Sequence, residues 1–232
     1  MQFDVVQERQ ALVETGVSSL PKPVEGGVGE VKQGLNALSD DVNKRMGKLE
    51  QNALVSTLET AGTRYANTLK GWTGKTTASV IYDSTVDEFT DDGLFYKVKG
   101  RPNIAIIATT SDGDVFGGFY SVAVTEQDED FHDPNMFIFS FESHGRCMTP
   151  QRFVVKVELR GDAGVRFFKN YFEGWFVAFD GGAGGFFLGN EKSRTWCSTL
   201  SFAFEGIENT TLTGNTFPKR FTCCRLIAIQ LE

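Results

Sequence analysis

The run Asn103 to Val124, NIAIIATTSDGDVFGGFYSVAV, constrains the fold more than any other stretch of the chain. Ile104 to Ala108 contains no polar residue that would mark a wet side, so its first half reads as a strand buried on both faces. In the second half Phe116, Gly118, Tyr120, Val122 and Val124 alternate with Gly117, Phe119, Ser121 and Ala123, the period of a second strand. Asp112-Gly113 between them tolerates the positive dihedrals of a two-residue hairpin turn. A hairpin of this kind belongs in the middle of a packed sheet, and on this reading Asp112 and Asp114 are exposed turn residues with no chemical role.

Phenylalanine places the core. Of 21 phenylalanines in 232 residues, all but Phe3 follow position 85. Each ring brings a large apolar area, so the C-terminal part holds the core. The hairpin is one of several strand signals there. Thr76 to Tyr82, Met136 to Phe141, Val165 to Phe168, Trp175 to Phe179, Phe186 to Leu188 and Phe221 to Leu231 also read as strands, and Leu200, Phe202 and Phe204 alternate in the same manner. Gly181, Gly182, Gly184 and Gly185 mark a tight turn, and Gln151 to Gly164 stays ambiguous. Thr90 offers an N-cap, Asp91 and Asp92 an acidic first turn, Leu94, Phe95 and Val98 an apolar face, and Gly100 with Pro102 a stop: one short helix. The fold class is mainly β with some α, two packed antiparallel sheets with short helices.

The N-terminal third differs. Residues 1–27 form a segment ending in a Pro/Gly linker, with Pro21, Pro23, Gly26 and Gly27. Across residues 28–70, Val28, Val31, Leu35, Leu38, Val42 and Leu49 follow the three-four spacing of a heptad seam, which predicts a coiled-coil arm. Its polar flanks leave two outcomes, pairing with a second copy or folding back on the C-terminal domain, and the length of the pattern favours self-association. Gly34, Gly47 and Gly62 each cost a helix on the order of 1 kcal/mol relative to Ala, so the arm depends on a partner.

Charge and composition exclude several function classes. The net charge is −7, and residues 1–70 hold 8 basic and 9 acidic side chains, leaving 15 and 21 for the rest. Neither part has the clustered cations that a nucleic-acid backbone or an anionic lipid surface requires, so no nucleic-acid partner is expected. No apolar run reaches the length of a transmembrane segment. The polar start MQFDVVQERQ does not read as a signal peptide, and the expected compartment is cytoplasmic. Cys147, Cys197, Cys223 and Cys224 contain no C-x-x-C pair and are expected as reduced thiols.

The only candidate metal ligands with useful spacing are Glu142, His144 and Cys147. A zinc site normally takes four ligands, and the one other histidine, His132, lies in a polar loop, so a loop histidine beside a buried cysteine is the favoured reading. No cofactor motif is present: the glycine run 181–185 lacks the Gly-Lys-Ser/Thr of a phosphate loop and precedes a strand. Arg146 beside Cys147 is the one hint of an activated thiol, and it supports the alternative of a redox-active or metal-dependent enzyme using Cys147 and His144.

The order of segments resembles a known family. VIYDSTVDEFTDDGLFYKVKG, NIAIIATTSDGDVFGGFYS, PNMFIFSF and GWFVAFDGGAGGFFLGNEKS, followed by a C-terminal strand from Phe221, are similar to the TLDc domain of eukaryotic oxidation-resistance proteins, over about residues 72–232. Asp112, Gly113, Asp114, Phe116, Gly117 and Gly118, within DGDVFGGF, are the most specific part. The resemblance implies a β-sandwich and a non-catalytic protein-interaction module. It also implies association with the cytosolic sector of the vacuolar proton-pumping ATPase, a protective role in oxidative stress, and neither cofactor nor catalytic residue. A homo-oligomer through residues 28–70 would add a second contact.

Overall fold

The computed structural model describes residue 39 and residues 65–169, 174–190 and 195–232. The chain divides into two compact units, Met1–Ser56 and Thr57–Glu232. The seam read at Val28, Val31, Leu35, Leu38, Val42 and Leu49 lies outside the described residues.

The second unit is built on two antiparallel sheets. Its elements in order are helical residues 65–73 (α1), β1 (Ala78–Asp83), α2 (Asp91–Val98), β2 (Ile104–Thr110), β3 (Val115–Tyr120), β4 (Asp130–His132), β5 (Phe137–Glu142) and β6 (Gln151–Val154). A 3-10 turn (Val157–Leu159), β7 (Gly164–Phe167), β8 (Trp175–Asp180), β9 (Gly185–Gly189), β10 (Trp196–Ser198), α3 (Leu200–Ala203) and β11 (Cys223–Leu231) follow. The larger sheet runs β1-β11-β2-β3-β5-β6 and the smaller β10-β9-β8-β7-β4. The last strand is therefore inserted between the first two strands of its sheet, so the ends of the unit lock each other.

The hairpin is central, as its apolar run requires. β2 lies between β11 and β3 with nearly every residue buried on both faces. Inward, Phe116 meets Phe186 and Phe221 edge-on at 5.3 and 5.4 Å, and Phe179 stacks on Phe186 at 5.1 Å. Such pairs add about 0.5–1.5 kcal/mol each beyond the area they bury. A Cβ on Gly118 would sit 2.3 Å from the Phe179 ring, so glycine there sets how closely the two sheets approach. Outward, Phe137, Phe139 and Phe141 share one face of β5, as their alternation predicts. That face receives α1: Leu69 is fully buried, Tyr65 stacks on Phe141 at 4.3 Å, and Trp72 lies nearly parallel to Phe141 at 5.6 Å. Residues 65–70, part of the segment read as the arm, thus form a third layer over the larger sheet.

The short helix α2 forms where its signals place it. Thr90 Oγ1 accepts from the Gly93 amide at 3.0 Å, the buried face is Leu94, Phe95 and Val98, and Gly100 takes φ +71°.

Three expectations are corrected. Leu200, Phe202 and Phe204 do not form a strand: residues 200–203 are helical, with Leu200 and Ala203 buried and Phe202 65% exposed. Asn209 Oδ1 accepts from the Ser201 amide and Leu200 carbonyl from the Phe204 amide, so local hydrogen bonds override the two-residue alternation. The polar loop Thr125 to Pro134 contains the short strand β4, which adds to the edge of the smaller sheet through β7. Finally, the β2–β3 turn has three residues, 111–113. Thr110 carbonyl accepts from the Gly113 amide, Thr110 amide donates to the Asp114 carbonyl, and Gly113 takes φ +89°. A left-handed glycine closing a three-residue loop shifts Asp114 out of the turn to the position immediately before the returning strand β3.

Candidate functional site

That shift of one residue buries a carboxylate. Asp114 is 2% exposed, whereas Asp112 remains at the surface. Its amide donates to Thr110 Oγ1 at 3.1 Å, which fixes the backbone, and its side chain turns toward the loop between β5 and β6. There Asp114 Oδ1 accepts from Arg146 Nη2 at 2.5 Å and lies 2.7 Å from His144 Nδ1. The loop is coiled tightly to allow both contacts. His144 and Gly145 take φ +50° and +83°, and the Cys147 amide donates to Ser143 Oγ at 2.7 Å. Arg146 also donates through Nε to the Thr211 carbonyl at 3.0 Å and through Nη2 to the Leu212 carbonyl at 3.4 Å. One carboxylate thereby ties together the β2–β3 turn, the β5–β6 loop and the loop after α3.

The residues singled out from the sequence are distributed differently around this point. His144 joins Asp114 and Arg146, while Glu142 ends β5 opposite Val115 in the ladder. Glu142, His144 and Cys147 all line one cavity of about 740 Å³ beside α1. Among the described residues, however, no three His, Cys, Asp or Glu side chains converge as a metal-binding group. Arg146, the hint of an activated Cys147, gives its guanidinium to Asp114 and two carbonyls instead.

A His–Asp pair orients an imidazole, and catalysis would need a nucleophile or substrate proton within hydrogen-bond reach of its other nitrogen. Among the described residues Asp114 is the one hydrogen-bond partner of His144, and its ring is 56% exposed. The same Asp114 oxygen also accepts from the Arg146 guanidinium. The arrangement suits fastening better than proton transfer.

Two further buried carboxylates follow the same pattern. Asp83, at the end of β1, accepts from Arg225 of β11 through Nε at 3.1 Å and Nη2 at 2.5 Å, with Thr85 completing its partners. Burial pushes its carboxyl up, but hydrogen bonds from Arg225 and Thr85 outweigh it, and the group is held below the ordinary value. Asp133 accepts from the amide and hydroxyl of Ser121 and from the Asn135 amide, which clips the chain after β3 to the turn before β5.

All four cysteines are free thiols. Burial pushes Cys197 and Cys223 up to about 12, so both stay protonated and inert at neutral pH. Cys224 is exposed and Cys147 half-buried.

A two-residue turn at Asp112-Gly113 leaves Asp114 in solvent and hides the cluster from the sequence. The signal was present in Thr110, Asp114 and Gly113, a spacing compatible with a three-residue loop. The partner Arg146 lies 32 residues away and carries no local mark.

An aromatic two-sheet sandwich, closed by its own last strand and fastened by buried carboxylates, defines the class of domain. Residues 58–156 match the TLDc domain family. The matched segment ends just past β6, while the sandwich continues through β11. No curated protein matches the chain in sequence.

Proposed function

We propose that this chain is a non-catalytic protein-interaction module of the TLDc kind, working in the cytoplasm. The supporting observation is that its buried carboxylates, Asp83, Asp114 and Asp133, are each engaged by partners that hold strands or loops together. In a reaction centre such groups would face an open position for substrate. The finer role comes from the family resemblance: protection in oxidative stress, regulation of the vacuolar proton-pumping ATPase through its cytosolic subunits, and pairing with a second copy through residues 28–70.

Affinity capture with the full chain from cytosolic extract, read out by mass spectrometry against a bead control, tests this. Subunits of the vacuolar ATPase enriched in stoichiometric amount are the expected result. Recovery of nothing beyond the control overturns it.

A further inference from the structure

Three arginines of the sandwich are each matched by a carboxylate: Arg146 by Asp114, Arg225 by Asp83, Arg166 by Asp130. Lys75, Arg152 and Arg160 are different. All three line one groove of about 350 Å³ on the larger sheet, and among the described residues none of them forms an ion pair and no carboxylate lines the groove with them. The nearby Asp133 is fully buried and satisfied by Ser121 and Asn135.

The two arginines are held rather than loose. Arg152 donates through Nη1 to the Trp72 carbonyl and lies 5.6 Å from the Phe137 ring centre, and Arg160 Nε donates to the Val155 carbonyl at 3.3 Å. Holding a guanidinium in place lowers the entropy lost when it meets an anion. Asn103 and Asn135 on the same walls supply amide groups, and Trp72 supplies an apolar side.

The groove leads to an apolar patch. Val155 bridges to Phe204, and the Lys156 amide donates to the Ala203 carbonyl, which brings the 3-10 turn alongside α3. Val157 and Phe202, on these two neighbouring segments, are 66% and 65% exposed. A large apolar residue left in water on each of two adjoining segments, next to unpaired cations, is the composition of an interaction surface.

Resting on the reading of this domain as an interaction module, we propose that the groove of Lys75, Arg152 and Arg160 docks an acidic peptide segment of a partner protein, whose apolar side chain seats against Val157 and Phe202. Charge complementarity chooses the occupant. Three cations without counter-charges, two of them held in place, attract carboxylates, while the chain's net charge of −7 repels long polyanions such as nucleic acid and anionic membranes. The two apolar side chains have no role in holding a small inorganic anion.

The test uses the full chain and a fluorescein-labelled twelve-residue peptide of repeating Glu-Glu-Phe, titrated by polarisation at about 0.1 M ionic strength, where charges still interact over about 10 Å. The parent is expected to bind it and to ignore the Lys-Lys-Phe counterpart. Lys75→Glu with Arg160→Glu weakens binding at least about tenfold, whereas reversing the exposed Lys169 and Lys219 changes it less than about twofold. Phe202→Ser weakens binding without altering its salt dependence. Should the double reversal unfold the chain, Lys75→Gln with Arg160→Gln must reduce both affinity and salt slope.

Equal binding of both peptides, equal damage from Lys169 and Lys219, or groove-dependent binding to phosphatidylserine vesicles in place of the peptide overturns the proposal. Groove variants that lose the peptide yet still capture the same partner from extract also overturn it, but leave the interaction-module reading standing on another face.

Discussion

Replacing Asp114 by Ala separates a fastening from a reaction centre. Removing one partner from a fully buried ion pair costs about 3–5 kcal/mol, chiefly through the charge left behind. Here Arg146 keeps 27% of its side chain exposed and retains the Thr211 and Leu212 carbonyls, so part of that cost is recovered by water and by those acceptors. We expect a loss of about 2–3 kcal/mol. For a domain of this size each kcal/mol moves the melting temperature by roughly 2–4 °C, which places the variant about 4–12 °C below the parent. His144→Ala, at a half-exposed ring, should cost under about 1 kcal/mol. Urea denaturation of the parent, Asp114→Ala, Arg146→Ala and the double variant completes a cycle, with a coupling of about 1–3 kcal/mol expected for residues in direct contact. Additivity within about 0.5 kcal/mol, or a variant that melts with the parent, refutes the fastening role.

Other consequences follow from the same geometry. Gly118→Ala forces a methyl into the Phe179 ring, which is itself stacked on Phe186; overpacking of this kind costs about 1–3 kcal/mol by denaturant titration, and an unchanged midpoint would contradict the close approach of the sheets. Because the Asp83 carboxyl is held below its unfolded value of about 3.9, its contribution is complete above that pH and is lost as pH falls through the lower folded value. The stability of Arg225→Gln should therefore fall less steeply on acidification than the parent's, and parallel acid limbs would count against the pair. Thiol labelling at neutral pH should modify Cys224 first, with Cys197 and Cys223 reacting only after unfolding; early labelling of Cys197 would contradict its burial.

What the sequence made legible was whatever local pattern controls. The apolar run of β2, the alternation of Phe137, Phe139 and Phe141, and the cap, acidic turn and glycine stop of α2 all depend on neighbours within a few residues. The Leu200 to Phe204 segment shows the limit of such patterns. Alternation over five residues fits a strand, yet a hydrogen bond from the Ser201 amide to Asn209 and others within the turn make it helical. Strand β4 was hidden because three residues, Asp130–His132, become a strand only by pairing with β7. The Asp114 cluster was illegible for a related reason. A loop longer by one residue buries the aspartate, and the arginine that makes burial tolerable comes from a distant loop.

On the proposed reading, buried charge in this domain holds the fold and performs no chemistry. Hydrogen peroxide consumption by the full chain in excess dithiothreitol, compared with Cys147→Ser and His144→Ala, tests it most directly. The account predicts consumption at the rate of the reductant alone, identical in all three proteins. Sustained turnover in the parent that disappears with Cys147→Ser or His144→Ala would contradict it.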